Sequence, residues 1–596
     1  MAFQKKINAG KHNFRRFFIT ALLLISGAAF LLRMGVALEF SAINGGNNNM
    51  LSPPTVSDLH TYIKLGKEIA KGTFPQEFYY QPFYYAVFLP VIYLCSNFSI
   101  WAVVTIQSLL GGATAFLAGL TGRELFGKTA GLIAAAFTAI STPLLLYAPF
   151  HQNETLQCFN LTLLFFLLLK ALRKQTFFLW ASVGFMAGIA TLTRGNILLF
   201  TPLLLLALWL SSHISVKKRA ALTCLAAGMF LLVQLPFIIY NTRAKGTLTG
   251  PSTAANAVLA LGNTPESPPG GRNAHLPAGP MEYPQSFHDF MAKAAKGISV
   301  PRQMVEWMCR EPGAFFELQF RKLLLFWDGR ELPNNVSLYG EGKYSLLLQG
   351  LLPGRSHFLL ACALGGMFLF AGAFFRKYLK RRAYLYGFVL IYWGAIAVFY
   401  ILSRFRAPIL PLAAVFAGAF LSALFIRWKK WERQQKIMAV FCAAAGIFLT
   451  VGAYDYYADN FESVIMRLCR PRGTFVQNGV LDNGPFTCGA WTPAELKSGT
   501  KISKEFAVQK RSGKVKWQLF SPGGTLIFTV NGRETSRELP ANRNAFVEFD
   551  APEKFEIEII AVPENTFAVY DLRRNYNRSS LDGETLPGEW VMRFSF

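Results

Sequence analysis

The chain has little charge, and acids are scarcer than bases. Charged residues make up 16% of its 596 residues, with 34 Asp and Glu against 60 Lys and Arg. Hydrophobic residues make up 52%. So apolar a composition excludes an ordinary soluble protein of this length. It predicts an all-α polytopic membrane protein.

Residues that hold cofactors are also scarce. The chain has 7 His and 8 Cys, and no Cys/His cluster has the spacing of a metal site. It has no Gly-rich nucleotide loop and no internal repeat, so the sequence offers no site for ATP or a sugar nucleotide. A divalent cation is the one cofactor left open. Five Cys lie in or beside apolar segments. Cys309, Cys469 and Cys488 are predicted outside, where Cys469 and Cys488 could pair in an oxidising compartment.

A formal charge of +26 is also typical of proteins that bind nucleic acid. The basic residues, however, fall in short clusters between apolar stretches, which is the orientation signal of a membrane protein. Residues 1–16 form a basic N-terminus predicted in the cytoplasm. Alternate connections are then basic, as the rule requires: Arg123/Lys128, Lys170/Arg173/Lys174, Lys217/Lys218/Arg219, Arg376/Lys377/Lys380/Arg381/Arg382 and Arg427/Lys429/Lys430/Arg433/Lys436.

Apolar segments long enough to cross a hydrocarbon core of about 30 Å occur eleven times. Arg33 in the first is expected to reach the lipid headgroups. Residues 82–95 are apolar too, but a crossing there would invert the alternation, so we expect an outer interfacial helix. The predicted spans are 17–40, 98–120, 129–147, 155–172, 176–193, 195–212, 220–239, 357–375, 384–402, 407–426 and 436–454.

This topology predicts a transmembrane domain at 17–455, with outer loops at 41–97 and 241–356, in the cytoplasmic (inner or plasma) membrane. The segment 456–596 has a different pattern. Hydrophobic and polar residues alternate in several short runs there, and Asn531-Gly532 is a strong hairpin signal. We therefore predict an extracytoplasmic β-sandwich, which could bind carbohydrate or serve as a structural appendage.

Asp58 is the leading candidate for chemistry. It lies in the first outer loop, ahead of the aromatic run Phe78–Tyr85. A carboxylate at the mouth of a membrane bundle, followed by aromatic residues, suggests chemistry on a lipid-carried sugar. The alternative is an ordinary solvated loop acid.

The motifs together resemble glycosyltransferase family 39 of the GT-C superfamily, which includes protein mannosyltransferases and the aminoarabinose transferase of lipid A. The resemblance covers residues 17–455 and not the tail. It is carried by Asp58 with Tyr62, Tyr80-Gln81-Pro82-Phe83-Tyr84-Tyr85, Arg123-Glu124-Leu125-Phe126-Gly127, Asn153-Glu154-Thr155, Leu192-Thr193-Arg194-Gly195-Asn196, Leu261-Gly262-Asn263-Thr264-Pro265, the run 322–335 and Ser403-Arg404-Phe405-Arg406-Ala407-Pro408.

The resemblance implies a GT-C fold and transfer of a sugar from a polyprenyl-phosphate donor to an acceptor hydroxyl on a lipid, glycan or protein. Such a reaction needs a base, for which Asp58 is suited, and positive charge beside the leaving phosphate. Arg194, Arg404 and Arg406 fit the second need. They are predicted on the outer side, whereas the other clusters of Lys and Arg are predicted on the cytoplasmic side. The alternative for each Arg is a contact with lipid headgroups.

Secondary candidates are weaker. Glu154 and His151, with Tyr62, could form an acceptor or metal shell, although a Glu at this position commonly caps a helix. Lys322 and Glu331 are expected in an interfacial helix over the cavity, where their charges could contact the donor. Tyr80-Gln81-Pro82 replaces the acidic-Lys-Pro run of the aminoarabinose transferases, and Asp58-Leu59 replaces the Asp-Glu pair of eukaryotic protein mannosyltransferases. The resemblance therefore does not imply that this chain transfers aminoarabinose or that it mannosylates proteins.

Two other functional classes compete. A transporter or flippase of lipid-linked sugars would also place charges in a membrane bundle, but it should show inverted repeats and matching broken spans, which the sequence lacks. A non-catalytic assembly protein that presents the β-domain would leave Asp58 and the outer arginines without a role.

Overall fold

In the computed structural model, the described residues are 2–43, 48–53, 55, 57–210, 214–271, 281, 283–332, 334–336, 338, 341–371 and 380–451, together with strands between 476 and 595. The helices are α1 (Ala2–Ser41), α2 (Asp58–Ala70), α3 (Leu89–Ser96), α4 (Ile100–Phe126), α5 (Lys128–Ile140), α6 (Thr142–Tyr147), α7 (Glu154–Lys174), α8 (Phe177–Thr193), α9 (Thr201–Trp209), α10 (Val216–Lys245), α11 (Ala255–Gly262), α12 (Gln285–Ala295), α13 (Val300–Arg310), α14 (Pro312–Trp327), α15 (Leu346–Gly350), α16 (Ser356–Ala371), α17 (Lys380–Ala397), α18 (Ser403–Arg406), α19 (Leu410–Arg427) and α20 (Arg433–Val451).

Every predicted span falls on one or more of these helices, so the protein is a multi-pass membrane protein. Six helical stretches among the described residues are long and apolar enough to cross a membrane. The other predicted spans fall on shorter or broken helices, such as α5 followed by α6, and eleven crossings remain a prediction. The predicted interfacial segment is a π-helix at Phe83–Phe88 that continues into α3. The six stretches are Arg16–Ser41, Ile100–Phe126, Glu154–Lys174, Val216–Lys245, Ser403–Lys430 and Arg433–Val451.

Small residues let the central helices approach closely. A Cβ added to Gly122 of α4 would lie 2.9 Å from the Cα of Gly131 in α5, and one added to Gly418 of α19 would lie 2.3 Å from the Ala130 carbonyl oxygen. Glycine is therefore required at both contacts, as is common where membrane helices pack. The most deeply buried of the spanning helices is α19, so α4, α5 and α19 form the centre of the bundle.

Arg33 departs from its sequence prediction. Its side chain is buried, and its guanidinium donates to the carbonyl oxygens of Ala29 at 2.8 Å and Thr138 at 3.2 Å. The expectation that it reaches the headgroups is therefore wrong in this structure. The free carbonyls near the C-terminal end of α5 satisfy the charge, so Arg33 joins α1 to α5.

The C-terminal strands are β1 (Val476–Gln477), β2 (Val480–Leu481), β3 (Trp491–Leu496), β4 (Ile502–Ala507), β5 (Gly513–Ser521), β6 (Gly524–Val530), β7 (Arg533–Leu539), β8 (Arg543–Ala551), β9 (Lys554–Ala561), β10 (Thr566–Asp571), β11 (Ser579–Leu581), β12 (Glu584–Thr585), β13 (Glu589–Trp590) and β14 (Arg593–Ser595). They form sheets ordered β1-β2-β14-β5-β8, β13-β10-β3 and β12-β11-β4-β9-β6-β7.

The hairpin predicted at Asn531-Gly532 is confirmed. These two residues have φ of 49° and 78°, and β6 pairs with β7 directly across them. Positive φ at both turn positions is what a two-residue hairpin of this type requires. The ring of Phe528 in β6 packs against that of Phe549 in β8, with centroids 5.7 Å apart. This contact connects two of the sheets. The sandwich itself remains a prediction, and Cys469 and Cys488 lie outside the described residues.

Candidate active site

Local sequence fixes Asp58 at the first turn of α2. Ser57 is the N-cap, and its side-chain oxygen accepts a hydrogen bond from the backbone N–H of His60 at 3.2 Å. A serine cap satisfies a free N–H of the first turn, and an acid beside it is favoured by the helix dipole. The carboxylate of Asp58 is therefore held at a helix start and remains 28% exposed.

Asp58 forms an ion pair with a second candidate from far along the chain. Arg404 Nη2 lies 2.8 Å from Asp58 Oδ2, and the Asn335 side-chain amide donates to the same oxygen at 2.9 Å. Burial alone would raise the pKa of the Asp58 carboxyl, but the Arg404 charge and the two hydrogen bonds outweigh it and hold the pKa below its usual range. Asp58 is therefore ionised at neutral pH and is a weak base while it stays paired.

A second ion pair is formed by Glu154 and Arg194. Arg194 Nη2 lies 2.8 Å from Glu154 Oε1 and also donates to Asn153 Oδ1 at 3.2 Å. Glu154 is the first residue of α7, but the N-cap is Asn153 and no side chain caps the helix, so the carboxylate pairs with Arg194 and does not cap. Arg194 follows α8 in extended backbone. The second carboxylate oxygen of Glu154 has no partner among the described residues. Glu154 lines a small cavity with Arg33 and Tyr147 that has room for about one water.

Arg406 faces the protein interior. Its Nη1 donates to the carbonyl oxygens of Phe326, at 3.1 Å, and Asp328, while its Nη2 lies 3.3 Å from Glu331. Both charged side chains are almost fully buried, at 3% and 5% exposed, and Glu331 also accepts from Ser356. This geometry favours Arg404 over Arg406 as a phosphate-binding residue. Arg406 instead ties the end of α14 to α18.

Tyrosines line the site between the two ion pairs. The ring of Tyr62 packs edge-on against Tyr84 at 5.5 Å and Tyr80 at 6.0 Å, and it stacks on Tyr85 at 6.1 Å. Burial first, and then the negative charge of Asp58, raise the pKa of the Tyr62 hydroxyl, and the same causes raise the pKa of Tyr80 to about 12. Both hydroxyls therefore stay protonated and can donate hydrogen bonds to a substrate.

His151 is buried, and its ring stacks on that of Tyr93, with centroids 6.4 Å apart. Neither of its ring nitrogens has a hydrogen-bond partner among the described residues, and burial, with a smaller contribution from Lys67, lowers its pKa to about 3. A neutral imidazole can bind a metal, but no group of three or more His, Cys, Asp or Glu side chains lies together in the described part of the chain. The proposed metal shell of Glu154, His151 and Tyr62 thus lacks a ligand set there, because Glu154 is paired with Arg194.

Lys322 is placed inside the protein and not at its surface. Its ammonium is fully buried and donates to Asn263 Oδ1 at 2.9 Å and Gln319 Oε1 at 3.3 Å. No carboxylate among the described residues pairs with it. Burial lowers the pKa of Lys322 to about 7. Contact of Lys322 or Glu331 with the donor therefore remains a prediction that this arrangement does not favour.

We expect Lys322→Met to change the pH dependence of stability. Between about pH 7 and pH 10 the unfolded chain binds a proton at Lys322 that the folded chain does not, so stability rises with pH across that window and is flat below it. The variant should lose this rise and be more stable at pH 7, by on the order of 1 kcal/mol or more. Thermal unfolding in detergent from pH 6 to 10 measures both effects, with the exposed Lys293→Met on α12 as the control. An unchanged slope would contradict the prediction.

Two site residues were not identified from the sequence. Asn335 hydrogen-bonds the carboxylate of Asp58 from a positive φ of 62°, and Phe405 lies beside both Arg194 and Arg404. Both residues lie inside motifs that carry the family resemblance, 322–335 and Ser403–Pro408, but neither is assigned a role by the sequence. Asn is one of the residues that tolerates positive φ, and Phe405 stands between two candidate arginines.

Residues 80–240 match the family described as dolichyl-phosphate-mannose-protein mannosyltransferase. The predicted family resemblance is confirmed. The match includes Glu154 and Arg194 but not Asp58 or Arg404. YkcB of Bacillus subtilis (strain 168), a candidate mannosyltransferase, is 28% identical over 164 residues, which are 27% of this chain and 23% of YkcB.

Solved structures similar to this chain include two membrane transferases. The archaeal oligosaccharyltransferase AglB from Archaeoglobus fulgidus, in complex with an inhibitory peptide and a dolichol-phosphate, has a TM-score of 0.43 at 14% identity, over 74% of this chain and 55% of AglB. ArnT from Cupriavidus metallidurans, bound to undecaprenyl phosphate, has a TM-score of 0.37 at 12% identity, over 73% of this chain and 70% of ArnT. The chain thus spans about half of AglB and under a quarter of YkcB.

Proposed function

We propose that this chain is a membrane glycosyltransferase that moves a sugar, in the first instance mannose, from a polyprenyl-phosphate donor to an acceptor hydroxyl. The observation that carries the proposal is the partly exposed Asp58 carboxylate with the Arg404 guanidinium 2.8 Å away. The pair places a base and a phosphate-binding group side by side. Both are what displacement of a sugar phosphate needs.

The Asp58–Arg404 pair suggests the order of events. The phosphate of the donor binds Arg404 and competes with Asp58 for it, which removes the main group that lowers the pKa of the carboxylate. Asp58 then accepts the proton of the acceptor hydroxyl as that oxygen bonds to the anomeric carbon. The bond from the anomeric carbon to the phosphate oxygen breaks, and its electron pair leaves with the polyprenyl phosphate. Arg404 stabilises the charge that develops on this leaving group.

The direct test is single-turnover transfer by the purified protein. Labelled polyprenyl-phosphate mannose is added with a mixture of acceptor lipids, glycans and peptides from the same cells. The expected result is loss of the labelled donor and recovery of an equal amount of polyprenyl phosphate. A flippase in liposomes would move the donor across the bilayer and leave it intact. Donor that is bound but never consumed with any acceptor would overturn the proposal.

Arg404→Gln should weaken donor binding, because it removes a charge-assisted contact to the phosphate. Such contacts contribute about 1.5–3 kcal/mol, or roughly a 10- to 150-fold loss in affinity. The variant should also shift the acid limb of residual transfer to higher pH, since Asp58 loses the group that lowers its pKa. Titration with polyprenyl phosphate and a pH–rate profile measure the two effects. Unchanged donor affinity would leave Arg404 without a phosphate-binding role.

The proposed orientation places the N-terminus in the cytoplasm and the active site and C-terminal strands outside the cytoplasmic membrane. A reporter fused near residue 300 or after residue 455 should then be active only outside the cytoplasm. A fusion near residue 380 should behave oppositely and serves as the control. A cytoplasmic C-terminus would mean that residues 82–95 cross the membrane.

A further inference from the structure

Phe405 lies beside both arginines of the site. The Cζ atom of Arg194 is 4.6 Å from the centroid of its ring, and that of Arg404 is 5.1 Å away. Both distances are within the range of cation–π contacts, in which a guanidinium is attracted to the negative face of an aromatic ring. Phe405 is only partly buried.

The ring of Phe405 is itself held in place. Its backbone N–H donates to the Leu402 carbonyl oxygen at 3.0 Å, and its carbonyl oxygen accepts from the Tyr392 hydroxyl at 2.6 Å. Its ring packs on that of Tyr400, with centroids 5.3 Å apart. The two hydrogen bonds fix the backbone of Phe405, and the Tyr400 contact supports its ring, so the ring can serve as a fixed reference point for the two guanidinium groups.

The two arginines come from distant parts of the chain, one after α8 and the other in α18. The guanidinium of Arg194 forms an ion pair with Glu154, and that of Arg404 forms one with Asp58. A donor phosphate that competes for one guanidinium would loosen that ion pair. The contact with Phe405 does not involve the carboxylates and would remain.

We propose that Phe405 is a positioning residue that holds the guanidinium groups of Arg194 and Arg404 in place to receive the donor phosphate. This inference rests on the proposed function. It differs from a packing role in one respect, because packing needs only apolar volume while positioning needs the aromatic ring. Phe405→Tyr should therefore preserve donor binding, and Phe405→Leu should not.

The test is titration of the purified full chain with polyprenyl phosphate, followed by the donor KM in transfer. Loss of the two cation–π contacts predicts about a 5- to 30-fold weaker affinity in Phe405→Leu and a matching rise in donor KM. Acceptor KM should be unchanged. Phe399→Leu makes the same chemical change at a ring for which no contact with these arginines is found among the described residues, and it should bind like the unmodified chain. Phe405→Met replaces Phe405→Leu if the latter does not fold.

Coupling to the arginines separates positioning from packing. In an Arg194→Gln background, Phe405→Leu should cost much less affinity than in the unmodified chain, because one of the two contacts is already gone. Equal losses in both backgrounds, or normal binding by Phe405→Leu, would overturn the role of Phe405 alone. Failure of the unmodified chain to bind polyprenyl phosphate would instead overturn the proposed function and this role with it.

Discussion

Replacing Asp58 with asparagine is expected to slow sugar transfer by about 10²–10⁴-fold, the range typical for loss of a general base. Asparagine keeps the size of the side chain and can still accept the hydrogen bond from Asn335. Donor binding should survive and should even tighten, because Arg404 would no longer have a carboxylate competing for its guanidinium. Single-turnover transfer and titration with polyprenyl phosphate together measure this separation of chemistry from binding.

Glu68→Gln is the matched control for Asp58→Asn. Glu68 lies on the same helix and pairs with Lys64 at 4.0 Å on the surface, where such pairs contribute little. It should transfer at the normal rate. Asp58→Glu keeps the charge but moves it by one methylene, so it should retain little activity. Near-normal turnover by Asp58→Asn would remove Asp58 from the catalytic role, and Glu154 would become the next candidate base.

The helices could be predicted from the sequence because each apolar run carries its own length and boundary signals. Ser99 and Thr176, for example, accept hydrogen bonds from backbone N–H groups at the starts of α4 and α8. The hairpin at Asn531-Gly532 was equally local, since the turn needs positive φ at both positions. The helix starts and the hairpin depend only on residues close by in the sequence, so they can be predicted without knowing which distant residues they contact.

The partners of the charged residues could not be predicted in this way. Arg404 and Arg406 are two positions apart in the sequence, and both fitted the phosphate role. The structure separates them because Arg404 meets Asp58 and Arg406 meets Glu331. Asn335 reaches Asp58 across 277 positions. Pairings of this kind depend on how α2, α14 and α18 pack, which the hydrophobic pattern does not specify.

The contrast between these two arginines gives a second large expected effect. Arg406→Ala should destabilise the fold, whereas Arg404→Ala should mainly weaken donor binding. Removing Arg406 leaves Glu331 as a buried carboxylate without its ion-pair partner and leaves the Phe326 and Asp328 carbonyl oxygens without its guanidinium. Breaking a buried pair on one side typically costs about 3–5 kcal/mol. Thermal unfolding and the yield of monodisperse protein in detergent measure the loss.

A double variant identifies the cause of that loss. Glu331→Gln removes the stranded charge and can still hydrogen-bond Ser356, so adding it to Arg406→Ala should restore part of the stability. The remaining deficit reports the two carbonyl oxygens, because the hydrogen bonds between Ser403 and the Leu332 backbone, at 2.6 Å and 3.1 Å, do not involve Arg406 and should persist. If Arg406→Ala instead unfolds like the unmodified chain and binds polyprenyl phosphate poorly, Arg406 is a donor ligand, and its buried contacts with Glu331 and the end of α14 are then secondary.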